Sequence, residues 1–150
     1  MNTLKKVRKF LSLDTKRMLI LLEAYMYLGC ARILVLLPFK MISPSLGSYM
    51  EETPHMPYEI DQVEIKNVSY AVRTMSRHTF WESKCLVRAI AGMKMLQRRH
   101  IECTLYLGTA TEKSGDLATH AWLRSGNSYI TGAEEMNRFT VVGKFAMIIR

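Results

Sequence analysis

The sequence predicts an α+β fold in which helices come first and an antiparallel sheet follows. Three observations carry that reading. Apolar residues recur at helical spacing at Ile65, Val68, Val72 and Met75, and again at Leu86, Ala89, Ile90, Met93 and Leu96. The period then switches to two in ECTLYL, residues 102–107. Short β-rich runs at 120–124 and 128–131 flank a turn at Ser125, Gly126 and Asn127. Helical runs followed by strand runs, without alternation of the two, mark the α+β class.

The elements follow in order. Residues 2–11 form a short basic amphipathic helix with Leu4, Val7, Phe10 and Leu11 on one face. Asp14 caps a second helix over 15–36, which Pro38 stops because proline has no N–H and clashes with the preceding turn. Pro44, Gly47, Pro54 and Pro57 punctuate residues 43–59, an acidic stretch that reads as a linker or exposed loop. Residues 60–77 are helical. Ser83 caps the helix over 84–98, and Arg98, Arg99 and His100 complement its dipole. Residues 108–118 read as a loop, 132–138 as another, and 139–145 as a last short element.

Length and composition narrow the function classes. A chain of 150 residues is the size of one domain, and 49% hydrophobic residues suffice for a core. The only boundary inside it is the acidic stretch, which divides an N-terminal helical region and linker, 1–58, from a core, 59–150. Cys30, Cys85 and Cys103 are odd in number and widely spaced, with no zinc-type cluster. No disulfide framework, metal or cofactor is expected, and the setting is reducing and cytoplasmic. Cys30, in the apolar helix, and Cys103, on an alternating strand, are expected in the core.

The formal charge of +8 is uneven. Residues 1–40 carry eight basic and two acidic side chains, while residues 41–64 carry five acidic and no basic ones. Such asymmetry suits acidic partners. No phosphate loop or aromatic-interleaved basic run occurs, so nucleic acid is not expected. Residues 18–38 are apolar enough to raise a membrane span, but Glu23 and Arg32 interrupt them. A buried or partner-covered helix is expected there, and membrane contact is not favoured.

The chemistry centres on Cys85 and His120, 35 positions apart. A cysteine in the first turn of a helix meets unpaired N–H groups and the positive end of the dipole, which favour thiolate. Those amides also point where an oxyanion would form. His120 begins or lies within a strand, from which its imidazole can take the thiol proton and return it to a leaving amine. Trp122, two along, shares its strand face and floors the site or fills the core. The bland alternative is a core cysteine and a hydrogen-bonded strand histidine, because spacing alone carries no geometry.

WESKCLVRAIAGMKMLQRRHIECTLYLG, followed by HAWLRSGNSYITGAEEMNRFTVVGKF, resembles the transglutaminase-like cysteine peptidases of lasso-peptide biosynthesis. The likeness is to the stand-alone form, whose leader-binding module is a separate small polypeptide. It covers about residues 60–148 and includes the Trp four before the cysteine, the CLVRA helix, the HAW strand and the ITG-A-RF tail. It implies a papain/transglutaminase-like core, with a nucleophile helix packed on an antiparallel sheet and N-terminal helices before it. It implies Cys85 as nucleophile and His120 as base, with Trp81 and Trp122 in the substrate and oxyanion neighbourhood. The reaction implied is removal of the leader from a ribosomally made precursor. The partners implied are that leader, a small leader-recognition protein and the lasso cyclase.

The family's third member, an Asp about a dozen positions after the histidine, has no counterpart here. Ile130, Thr131 and Gly132 occupy the region. Glu134 is the nearest carboxylate and is taken as the third site residue, with Glu135, Asp116, Thr131 or a backbone carbonyl as alternatives. The missing Asp motivates a second reading, a non-catalytic peptide-binding scaffold. A third is an acyltransferase or amidase on the same fold.

Overall fold

The structure, a computed structural model, describes residues 3–12, 14–55 and 61–149. Asn2, Glu59 and Ile60, included in the expected elements, lie outside them. Helix α1 spans Thr3–Leu11 and α2 spans Thr15–Leu34. Asp14 caps α2 as its position predicts, its Oδ1 accepting from the Lys16 N–H at 2.8 Å. Helix α2 ends two residues earlier than expected, and Pro38 instead precedes a single helical turn, α3, at Phe39–Ile42. Helices α4 (Gln62–Met75) and α5 (Cys85–Arg98) follow.

Helix α5 lies between the sheet and α2, so it is buried around most of its circumference. Helix α2 covers it and α4 through one stripe, Leu21, Ala24, Leu28 and Ala31. Leu19, Leu22, Met26 and Ile33 of α2 face outward. Cys30 is likewise exposed and not in the core, a correction to the sequence reading. A helix that is apolar all round need bury only the side its neighbours reach.

Glu23, the carboxylate inside that apolar run, binds the end of α5. Arg99 donates to both its oxygens at 2.7 Å, Arg98 lies 3.2 Å from it, and Arg99 Nε also donates to Glu64 at 3.0 Å. These arginines tie three helices together and do more than complement a dipole. Burial pushes the Glu23 carboxyl up, but Arg99 and Arg98 outweigh it and hold it below its ordinary value. A depressed carboxyl stabilises the fold above its unfolded pKa, and that stability is lost as pH falls through the folded value. Glu23→Gln is expected to cost on the order of 1–3 kcal/mol at pH 7. Chemical denaturation should show the deficit closing below about pH 4; a deficit unchanged at lower pH would contradict this account.

The sheet holds five antiparallel strands in the order β1-β5-β2-β3-β4: β1 (Ser48–Tyr49), β2 (Cys103–Thr111), β3 (Leu117–Ser125), β4 (Ser128–Thr131) and β5 (Thr140–Met147). Much of the stretch read as a loop, 108–118, is a hairpin. Its ladder runs from Gly108↔His120 to Thr111↔Leu117 and closes with the Glu112 N–H on the Asp116 carbonyl at 2.8 Å. Its outer end is polar because solvent bathes it, which hides the strand period. His120 consequently sits mid-strand.

The acidic stretch is part of the same body. Strand β1 pairs with β5, and buried Thr53 donates its N–H to Thr104 Oγ1 at 2.9 Å. Arg124, 1% exposed, holds the segment down: its guanidinium donates to the carbonyls of Thr53 (2.8 Å), Pro54 (3.1 Å) and Gly126 (2.7 Å) and to the Tyr106 hydroxyl (2.9 Å). Helix α2 and strand β1 pack against elements beyond residue 58. Arg124→Met leaves those acceptors buried without donors. It should cost about 3 kcal/mol in chemical denaturation, and a loss within 0.5 kcal/mol, the range of an ordinary surface change, would refute the anchoring role.

Candidate active site

The head of α5 is short of side-chain partners. Lys84 takes the N-cap position in an extended conformation and makes no side-chain cap. Ser83, the expected cap, spends its hydroxyl on Thr79 Oγ1 at 2.8 Å. No cap side chain therefore occupies the first-turn N–H groups around Cys85. Cys85 is half-buried, and among the described residues its thiol makes no hydrogen bond. Cys103 is fully buried, as its strand alternation predicts, and burial pushes its thiol far up. Cys30 faces outward on α2. Only Cys85 combines a helix start with partial access.

His120 is held from several sides. Its Nε2 lies 2.8 Å from the Gly132 carbonyl oxygen. A carbonyl only accepts, so Nε2 carries a proton, and in the neutral form of the ring the lone pair is at Nδ1. The ring stacks on Phe139 (centroids 5.0 Å apart) and on Trp122 (5.8 Å), and Trp122 stacks on Tyr106 (5.5 Å). Tyr106 is in turn fixed by Arg124. A row of rings thus runs from the buried arginine to the imidazole. Trp122 lies against the histidine ring and is itself 5% exposed. Gly108, opposite His120, makes room for the row: a Cβ there would come within 2.8 Å of Phe139 Cβ and 2.9 Å of Trp122 Cζ3.

The two stretches lie at about the same level along the sheet. Helix α5 runs alongside β3, with Gly92 against Leu123 and Ile130, and its C-terminus leads into Cys103 near the far end of β3. Cys85 lies seven residues before Gly92, about 10 Å along the helix. The same distance back from Leu123 along β3, roughly three residues, reaches His120. Strand alternation turns Ala121 and Leu123 toward α5 and its core, and turns His120 and Trp122 to the other face. Beyond Leu123↔Thr131, β4 no longer borders β3, and the chain folds over that edge at Gly132. The turn at Gly132 lies against the imidazole, and the Glu134 that follows it is bound to Arg73 of α4. No hydrogen bond joins the Cys85 thiol to the ring.

The structure does not bring Glu134 to His120. Its carboxylate is exposed and hydrogen-bonded to Arg73, and its own backbone, then Arg73 and Arg88, hold it below the ordinary range against a smaller opposing effect of burial. Glu135 is exposed. Asp116 sits at the hairpin tip with Ser114, 3.1 Å away. Thr131 is buried, and among the described residues its hydroxyl has no hydrogen-bond partner. Of the alternatives left open by the sequence, the backbone carbonyl is the one bonded to the ring. Trp81 packs on α2, its ring 5.0 Å from Tyr25 and against Gly29, and so fastens the approach to Cys85. Phe139 and Gly132 escaped the sequence reading, and the position of Gly132 twelve residues after the histidine was the available signal.

Gly132 adopts φ +76°, and a Cβ would lie 2.5 Å from the Ala121 carbonyl oxygen and 2.9 Å from Trp122 Cβ. Gly132→Ala must move the carbonyl that grips His120. A cost of about 1–3 kcal/mol is expected, together with a changed His120 ring ¹⁵N spectrum. An unchanged tautomer and unchanged stability would contradict the assignment.

Among the described residues no group of three His, Cys, Asp or Glu side chains gathers as a metal would require. Against known proteins, the family model described as the transglutaminase-like superfamily matches residues 33–144. No curated protein and no solved structure matched the chain.

Proposed function

The chain belongs to the transglutaminase-like superfamily, and on that premise we propose that it is a cysteine peptidase that removes the leader from a ribosomally made lasso precursor. The observation that carries the reading is the Nε2–H to Gly132 carbonyl bond, which leaves Nδ1 of His120 as the proton acceptor at about the level along the sheet where α5 begins with Cys85. The thiol proton passes to Nδ1. The sulfur attacks the scissile carbonyl carbon, and the oxyanion meets the uncapped N–H groups of the α5 head. The imidazolium returns the proton to the leaving amine. Water, deprotonated by the same nitrogen, then cleaves the thioester and restores the thiol. The Gly132 carbonyl takes the orienting role that a carboxylate plays elsewhere, without its charge.

The substrate assignment draws on the WESKCLVRA, HAW and ITG-A-RF segments. In this reading a small leader-recognition protein delivers the precursor, and the lasso cyclase uses the amine that cleavage exposes. The reaction proceeds in the reducing cytoplasm. The test is to incubate the purified chain with a leader–core precursor and the recognition protein and to follow masses. Two fragments summing to precursor plus one water support the peptidase. An adduct on another amine would indicate an acyltransferase, and intact precursor with retained binding would indicate a scaffold.

A further inference from the structure

We propose that the N-terminal helical layer, α1 with the outward stripe of α2, is a docking surface for an anionic lipid bilayer. In helix α1, Leu4, Val7 and Leu11 share one arc, and Lys5, Lys6, Arg8 and Lys9 lie outside it, with no acidic residue in the helix. Its apolar arc is in solvent, with Leu4 69%, Val7 48% and Leu11 64% exposed. Helix α2 adds Leu19, Leu22, Met26 and Ile33, a second apolar stripe at helical spacing that no described element covers, with Met26 69% and Ile33 66% exposed. Runs of exposed apolar side chains at helical spacing mark an interaction site where they form a contiguous patch.

Charge selects the occupant. The eight basic residues of positions 1–40 form no salt bridge among the described residues, whereas both acids there are committed: Asp14 caps α2 and Glu23 binds Arg98 and Arg99. The layer therefore offers apolar side chains and uncompensated positive charge together, which is the chemistry of an interfacial helix on anionic headgroups. A second copy of this chain would set like charge against like charge. Among the described residues no helix is long and apolar enough to cross a membrane, so the layer lies on the surface. The family match begins at residue 33, so α1 and nearly all of α2 precede it. The proposal stands independently of the peptidase reading.

Flotation of the whole protein with vesicles tests it. Binding is expected to phosphatidylcholine vesicles containing phosphatidylglycerol and not to phosphatidylcholine alone. It should weaken near 1 M salt, where the screening length is about 3 Å. The double variants Lys5→Glu/Lys9→Glu and Val7→Asp/Leu11→Asp should each lower vesicle partition about tenfold or more, with helical circular dichroism retained. Folded protein that stays off the anionic vesicles, or floats equally with neutral ones, overturns the proposal. So does partition that ignores both variants. If the leader-recognition protein binds this layer while anionic vesicles do not, that protein is the occupant and the lipid assignment falls.

Discussion

Cys85→Ala is expected to reduce precursor cleavage to the uncatalysed background, a loss on the order of 10⁴-fold or more. Nothing else described can replace the sulfur. Cys103 is sealed in the core with its thiol pushed far up, and Cys30 faces outward on α2. The substitution removes one half-buried sulfur that makes no hydrogen bond, so stability should change by less than about 1 kcal/mol. Intact-mass kinetics beside a denaturation curve separate the two effects. Cleavage within tenfold of the parent would sink the nucleophile assignment, and a collapse in stability would leave lost activity without mechanistic meaning.

The second large effect is at His120. Removing the ring takes away the proton acceptor and opens a gap between Trp122 and Phe139. His120→Ala should lower turnover about 10²-fold or more. His120→Asn, which keeps a group able to donate to the Gly132 carbonyl, should recover much of the stability and little of the activity. Activity restored by the asparagine would mean that the ring serves packing and not proton transfer. A drop below tenfold in both variants would count against the base role. The pair also bears on the scaffold reading, in which neither substitution touches the function.

The sequence pattern made the core helices and most of the sheet legible because their periods are set by burial. Ile65, Val68 and Val72 face inward as their spacing requires, as do Ala89, Ile90, Met93 and Leu96. Where period and burial part company, reading fails. Cys30 sits in a helix apolar all round, and only tertiary packing decides which side is covered. Thr109 to Thr111 and Leu117 to Thr119 are strand residues whose exposed positions hide the alternation. The acidic 43–55 segment looks like a linker because what holds it, strand β5, Thr104 and the buried Arg124, lies far along the chain. The site behaves similarly. Cys85, His120 and Trp122 stood out in the sequence because their chemistry lies in their side chains. The partner of the imidazole is a main-chain carbonyl, and every residue has one, so only the turn at Gly132 could single it out. Glu134 drew attention as the nearest carboxylate, yet Arg73 holds it.

The most direct test of the Cys85–His120 pair is the alkylation rate of each cysteine by iodoacetamide near neutral pH, resolved by peptide mass mapping. Cys30, exposed on α2, supplies the reference for an ordinary surface thiol within the same molecule. Selective alkylation of Cys85 ahead of Cys30 is predicted, with the advantage disappearing in His120→Ala and Cys103 untouched throughout. A Cys85 that reacts no faster than Cys30, and equally in the presence and absence of the imidazole, would contradict the account.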